Sequence, residues 1–343
     1  MKNRFDLLNN DGVNAIDGIS PDFFRDKKIL ITGASGIVGT CLIHALKNLK
    51  ETYRISLNIY AVVSREIPRH LIEISSNEYI NFFIGDLANE FFCAKLPPSD
   101  IIIHAATYGQ PGMFMQYPEI TLKLNTYVTL ILLERMLKPG GRMLFISSSE
   151  VYSGLSNSPF NELQIGTTTP NHQRSCYIEA KRCGEAIVNA YRGKGINALS
   201  ARLSLAYGPG TKVGDKRVLN NFIEKAIINR EIKLIDEGTA HRTYCYISDA
   251  VNMMLKILFE GKEPVYNVGG VSTLTISELA KKIGKICNVN VSFPENNSFA
   301  LLGAPEDVRL DLSRYNNEFG EKNFIGIEEG LKNTIEWQKS IYK

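Results

Sequence analysis

The run KKILITGASGIVGT, residues 27–40, sets the tightest limit on what this chain can become. Ile29, Leu30 and Ile31 follow one another without a polar break, the pattern of a strand buried on both faces. Gly33, Gly36 and Gly39 come next at three-residue spacing, and residues 36–50 read as a helix. A strand that passes straight into a helix through glycines needs a backbone that turns tightly and a helix that lies close to the sheet. That turn also aims main-chain N–H groups and the positive end of the helix at one point, where a phosphate fits. Glycines alone serve equally well as a plain structural turn. The strand–turn–helix context favours a nucleotide.

The same alternation continues along the chain. LNIYAVV (57–63), YINFFIG (79–85), DIIIHAA (100–106), RMLFISS (142–148) and NALSARLS (197–204) read as further buried strands. Helix-length segments separate several of them, including 119–138, which Pro139-Gly140-Gly141 should stop. This is the pattern of an α/β chain: a Rossmann, doubly wound parallel sheet with helices on both faces. Residues 1–25 are polar and read as an irregular N-terminal arm. Residues 26–204 form the dinucleotide-binding domain, to which a segment at 240–260 returns. Residues 205–239 and 261–343 make a smaller, interleaved cap that holds the substrate, with a loop at 207–216 and helices at 218–230 and 275–288.

Composition narrows the partners. The formal charge is +3 and no Lys/Arg run occurs, which argues against nucleic acid. Six scattered cysteines include no CxxC pair and five histidines have no ligand spacing, so neither a disulfide framework nor a metal site is expected. The N-terminal segment lacks the apolar core of a signal peptide, and no apolar run reaches spanning length. The expected setting is the cytoplasm, with a small-molecule partner.

At the end of the second strand, an Asp or Glu would bond the ribose 2′-hydroxyl and favour NAD. This chain has Ser64 and Arg65 there. Arg65 can accept the 2′-phosphate of NADP, or it is a solvated loop arginine. Asp86, in Gly-Asp-Leu after the third strand, and His104-Ala105-Ala106 after the fourth fit the adenine pocket and the pyrophosphate edge. Taken alone, His104 is more often a satisfied core histidine.

The fifth strand runs into SSSEVYSG, so Ser148, Ser149 and Glu150 stand where open parallel sheets bind ligands. Tyr177 follows 29 residues after Ser148, with Lys181 four residues further on, one helical turn away on the same face. A phenol ionises near pH 10, too high for a base at neutrality. An ammonium about 4 Å away contributes roughly 4 kcal/mol, or about three pKa units, toward the phenolate. Such a phenolate can take a hydroxyl proton while hydride leaves the same carbon, with Ser148 holding the hydroxyl. Tyr-x-x-x-Lys alone is as common as chance. Its conjunction with the glycine turn and the serine-rich strand end favours chemistry.

These residues resemble the extended short-chain dehydrogenase/reductase family of nucleotide-sugar epimerases and dehydratases. GASGIVG, HAA, SSSEVYSG, RSCYIEAKR, ARLSLAYGPG, HRTYCYISDAV and YNVGG occur in its order and approximate spacing. Within it the motifs are most similar to UDP-glucuronate decarboxylases, through Ser148 to Tyr152, Arg174 to Arg182, TLKLNT (121–126) and RVLNNFI (217–223). The resemblance implies oxidation of a nucleotide-linked sugar at C4 by NAD⁺ or NADP⁺, with Tyr177 as base, Lys181 as its tuner and Ser148 as hydroxyl holder. Glu150 and Ser149 would then lie near C5 and its carboxylate. It also implies cofactor contacts from Gly33, Ser35, Gly36, Ile37, Gly39, Ser64, Arg65, Asp86, Leu87, His104, Ala105, Ala106, Asn125, Tyr177 and Lys181. Substrate contacts would come from Phe114, Glu150, Arg217, Arg242 and Arg309, in a homodimer.

Three positions depart from that pattern. Phe114 replaces a tyrosine beside the sugar, Leu205 replaces an asparagine before Tyr207-Gly208-Pro209, and the acid after the second strand is missing. Arg309 is one residue out of step with Asp311. Ser149 stands where the related 4,6-dehydratases carry a catalytic Asp, which disfavours dehydration. The alternatives are a 4-epimerase, a 4,6-dehydratase, or, in another class, an inert nucleotide-binding scaffold.

Overall fold

Apolar runs without polar alternation cannot leave either face in water, and each becomes a central strand. The computed structural model describes residues 4–135, 140–294 and 307–342. Along the chain come β1 (Lys27–Thr32), β2 (Leu57–Val63), β3 (Ile80–Ile84), β4 (Ile101–His104), β5 (Arg142–Ser148) and β6 (Asn197–Leu203). They pair in parallel in the order β6-β5-β4-β1-β2-β3. The order reverses between β1 and β4, which opens a crevice at their carboxyl ends.

Side chains alternate across this sheet with period two. Ile29, Ile31, Ile59 and Ala61 enter one core with α2 (Ile37–Tyr53); Leu30, Val62, Ile102 and Phe145 enter the other. Short helices α3 (Arg69–Ile72) and α4 (Glu90–Ala94) bracket β3. On the second face lie α5 (Pro111–Gln116), α6 (Pro118–Asn125), α7 (Tyr127–Glu134) and α8 (Ser175–Arg192).

The expected helix over 119–138 is two helices. It breaks at Thr126, where φ is −114° and ψ −78°. The Asn125 amide and the Thr126 hydroxyl each donate to the carbonyl four residues back, at 2.8 Å, the kind of side-chain insertion that bends a helix. Its proposed stop at Pro139 lies outside the described residues.

Of the expected irregular arm at 1–25, the described residues 4–25 are largely ordered. Arg4–Ala15 forms α1, ahead of β1, and buries Leu7, Leu8 and Ala15. Leu7 and Leu8 pack on Trp337 of the last helix, α13 (Ile327–Ile341), while Ile16, Ile19 and Phe24 join the main core. Fully burying one such side chain is worth about 2 kcal/mol, enough to hold a short polar helix in place.

After β6 the chain builds the smaller unit from β7 (Leu205–Tyr207), α9 (Val218–Ile228), β8 (Glu231–Lys233) and β9 (His241–Tyr246). It then returns: α10 (Ile247–Glu260) packs against α1 and α2, and β10 (Val265–Val268) extends the main sheet as a seventh strand beside β6. The return therefore runs past residue 260. The remainder is β11 (Ser272–Thr275), α11 (Ile276–Cys287), β12 (Asn290–Ser292), β13 (Asp307–Val308), α12 (Ser313–Phe319) and α13. A capping box of Thr275 and Glu278 starts α11. In the small sheet β9 lies between β11 and β13, and β7 also pairs with β9, which carries Arg242 toward the end of β5.

Candidate active site

At the crevice the backbone itself does the shaping. Gly33 has φ +69°, and a Cβ there would lie 2.7 Å from the Ala105 carbonyl oxygen. A Cβ on Gly39 would lie 2.5 Å from the Gly33 oxygen. Gly36 begins the 17-residue α2 in extended conformation with no side-chain cap, so the first amides of the helix face the crevice. A cradle that any side chain would fill, at the positive end of a long helix, fits the pyrophosphate of a dinucleotide.

Ser35 and Ile37 flank Gly36 in that cradle, and Ala105 and Ala106 form its opposite wall. Ser64 and Arg65 lie exposed after β2; Asp86 follows β3 and accepts the Ala88 N–H at 2.9 Å, with Leu87 buried. One residue the sequence reading missed arrives from the loop after β7. Lys212 donates to the Ser35 hydroxyl at 3.1 Å, and its pKa is lowered first by desolvation and then by the Arg65 charge. A lysine in a polar loop gives no sequence signal of such a contact.

His104 does not reach the cofactor edge as a free group. Its Nδ1 pairs with Thr32 Oγ1 at 2.6 Å and its Nε2 with the Leu124 carbonyl at 2.9 Å, so both ring nitrogens are spent inside the core. The Thr32 hydroxyl it holds accepts the Ala106 N–H at 3.2 Å, so His104 shapes the wall indirectly. Asn125 likewise gives its amide to Thr107 and Thr121.

The second cluster forms where β5 ends. Ser148 accepts the Glu150 N–H at 3.2 Å, and its hydroxyl is near enough to the Tyr177 phenol to favour the phenol's charged form. Tyr177 and Lys181 project from the first turns of α8 and are 7% and 2% exposed. Lys181 donates to the Ile146 carbonyl at 2.5 Å, and its ammonium lies 5.7 Å from the Tyr177 ring centre. Ser149 opens the short 3-10 turn Ser149–Tyr152 that holds Glu150.

Here the expected tuning is corrected. Burial drives the Tyr177 pKa up to about 12, against the lowering effects of the Ser148 contact and of Arg217 and Arg174. Burial also drives Lys181 down to about 7, with Glu185 opposing. In the protein alone, desolvation outweighs the Ser148 contact and the arginine charges, and the phenol is protonated at neutral pH.

Phe114 is 1% exposed and stacks on Tyr177 with ring centres 4.7 Å apart. It is a platform beneath the phenol. Arg174, just before α8, lies over the same ring at 5.4 Å and forms a two-pronged ion pair with Glu150. Arg242 lies within electrostatic reach of both Glu150 and Arg174. Arg217 acts on Tyr177 but is locked by Asp215.

Arg309 is not part of this cluster. Val308 pairs with Arg242 across β13 and β9, and the one-residue offset turns Arg309 to the other face with Thr243 and Thr273. There it binds Asp307 and Ser158 and lines a separate cavity of about 520 Å³.

A support the sequence reading also missed lies one turn beyond Lys181. Glu185 accepts from Ser147 at 2.5 Å and from Arg202 at 2.8 and 3.0 Å, pinning α8 to β5 and β6. Its i+4 spacing from Lys181, on the Tyr177 face, was the available signal. Among the described residues no His/Cys/Asp/Glu group is arranged to hold a metal, and no helix is long and apolar enough to cross a membrane.

Comparison with known proteins identifies the family. The NAD dependent epimerase/dehydratase family matches residues 29–269. A UDP-glucuronic acid decarboxylase from Arabidopsis thaliana is 29% identical over 315 residues, covering 90% of this chain and 88% of its own. One from Danio rerio is 30% identical, covering 91% and 72%. An epimerase structure from Methanothermobacter thermautotrophicus superimposes with a TM-score of 0.81 at 20% identity, covering 96% of each chain. With the matched segment spanning the glycine turn, the Ser148–Tyr177–Lys181 cluster and β10, the chain belongs to the NAD dependent epimerase/dehydratase family of nucleotide-sugar enzymes.

Proposed function

We propose that this enzyme decarboxylates a nucleotide-linked hexuronic acid such as UDP-glucuronate. The observation that carries the reading is the Glu150–Arg174 ion pair set beside the Ser148–Tyr177 pair, because decarboxylation needs carboxylate-handling groups next to the site of C4 oxidation. The 29–30% identity to UDP-glucuronic acid decarboxylases supports it.

Gly33, Ser35, Gly36 and Ile37 would hold the dinucleotide diphosphate, which leaves Tyr177 and Ser148 facing the sugar. When bound, the dinucleotide accepts hydride from C4, returns it at the end, and in its oxidised form adds positive charge beside the phenol. Ser148 orients the C4 hydroxyl, and Tyr177 takes its proton as that carbon is oxidised. Lys181, anchored on the Ile146 carbonyl, would add to the positive charge beside the phenol in its protonated form. The C4 ketone is β to the carboxylate, so the bond from C5 to the carboxyl carbon breaks and its electron pair moves onto the C4 oxygen. Ser148 and protonated Tyr177 donate hydrogen bonds to that oxygen, and carbon dioxide leaves. C5 then takes up a proton, and Tyr177 returns one to the C4 oxygen as the ketone is reduced.

Incubation with UDP-glucuronate and NAD⁺ should release carbon dioxide and form a UDP-pentose. A UDP-sugar that keeps all six carbons, epimerised or dehydrated, would remove the decarboxylase reading.

A further inference from the structure

Resting on that reading, we propose that Arg174 is the residue that recognises the substrate's sugar carboxylate, and that Glu150 occupies its guanidinium fork until the substrate arrives.

The argument starts from reach. Tyr177 addresses C4, and the carboxyl carbon is bonded to C5, the next ring atom. A group that binds the carboxylate must therefore stand beside the phenol. Among the described residues, three arginines couple electrostatically to Tyr177 or Glu150. Arg217 is held by both oxygens of a buried Asp215 through its Nε and Nη2, so its fork is taken by a partner on its own loop. Arg242 comes from the small sheet and donates to the neighbouring His241 carbonyl at 2.7 Å. Arg174 lies three residues before Tyr177, and its charge is felt at the phenol.

Its geometry suits the task. Nε meets Glu150 Oε2 at 3.2 Å and Nη2 meets Oε1, the paired contact by which a guanidinium binds a carboxylate. The occupied fork shows that a carboxylate fits there. Phe114 carries Arg174 on its ring and Tyr177 stacked against it, so one rigid platform fixes the spacing between the carboxylate fork and the phenol. Arg174 and Glu150 side chains keep 16% and 21% of their surface exposed, so a ligand can reach the pair. When the fork changes partner, Glu150 keeps a second cation in Arg242, whose field already reaches it. The exchange therefore does not strand a buried charge, which would be costly.

This predicts selectivity in binding, measurable without turnover. Calorimetric titration of the enzyme with UDP-glucuronate and with UDP-glucose should show the acid sugar bound at least tenfold more tightly. Arg174→Ala should erase that ratio while leaving UDP-glucose affinity within twofold, and Arg174→Lys should restore part of it. Glu150→Gln should strengthen UDP-glucuronate binding selectively, because it removes the internal competitor. Equal affinities in the parent, including failure of both sugars to bind, would overturn the proposal. So would a ratio that survives Arg174→Ala, or a Glu150→Gln change that weakens both sugars alike. The unchanged UDP-glucose affinity separates lost recognition from lost folding. A protein with this selectivity that releases no carbon dioxide would refute the decarboxylase reading and leave the role of Arg174 standing.

Discussion

The two ends of the crevice are built from different materials. At the glycine turn the decisive atoms are main chain: Gly33, Gly36 and Gly39 present amides, and the clearances are set by carbonyl oxygens. At the end of β5 the decisive atoms are side chains held by other side chains, as in the Glu150–Arg174–Phe114–Tyr177 stack. A site made of backbone tolerates almost no substitution at its glycines and is therefore written in a motif. A site made of side chains depends on register, and one residue of offset sends Arg309 to another face.

The contrast can be attacked with substitutions of decreasing effect. Tyr177→Phe removes the proton-handling group but keeps the stack on Phe114, so turnover should fall by about 10²–10⁴-fold while nucleotide-sugar affinity changes little. Single-turnover kinetics beside calorimetry checks this, and full activity in the variant would dismiss the mechanism. Gly39→Ala should cost about 2 kcal/mol of stability and abolish dinucleotide binding, since its Cβ meets the Gly33 oxygen at 2.5 Å. Urea unfolding with and without NAD⁺ reads both effects; a stable variant that still binds would mean that the cradle has room for a methyl group.

Acid should strike the backbone-built end first. Burial lowers the pKa of His44 to about 3 and of His70 and His104 to about 4; His44 lies in α2, His70 in α3 and His104 at the end of β4. Their unfolded forms bind protons below about pH 6.5, and their folded forms do not until near pH 4. Stability is thus fully present above pH 6.5 and falls as the pH drops, by about 1.4 kcal/mol per unit for each histidine. Urea midpoints between pH 7 and 5 should show it, and His44→Leu should make the slope shallower by one proton. The smallest effect is expected from Arg309→Ala, with turnover within about twofold of the parent, because that side chain faces the separate cavity. A loss beyond tenfold would place Arg309 in the site after all.

What could be read from the sequence follows the same division. The strands at 57–63 and 142–148 stand where their apolar runs put them, because burial on both faces leaves one pattern available. The glycine turn was legible for the reason its clearances show. The helix α1 was not, because Asn9-Asn10-Asp11-Gly12 has poor helix propensity and its formation depends on Leu7 and Leu8 finding Trp337 at the other end of the chain. Arg174 was legible as part of a motif but not as a partner of Glu150, since a cation at a helix start usually faces water. The protonation of Tyr177 was hidden because burial is a tertiary property.

Trp337, the chain's one tryptophan, anchors α1. Its indole N–H also donates to the Thr211 carbonyl at 2.8 Å, next to Lys212, and its ring lies edge-on to His70 at 5.3 Å. The protein therefore contains its own fluorophore, wired to both chain ends and to the loop that leans on the glycine turn. Emission from this single residue gives a label-free signal for release of the N-terminal helix and for cofactor entry, with quenching by His70 as the imidazole charges.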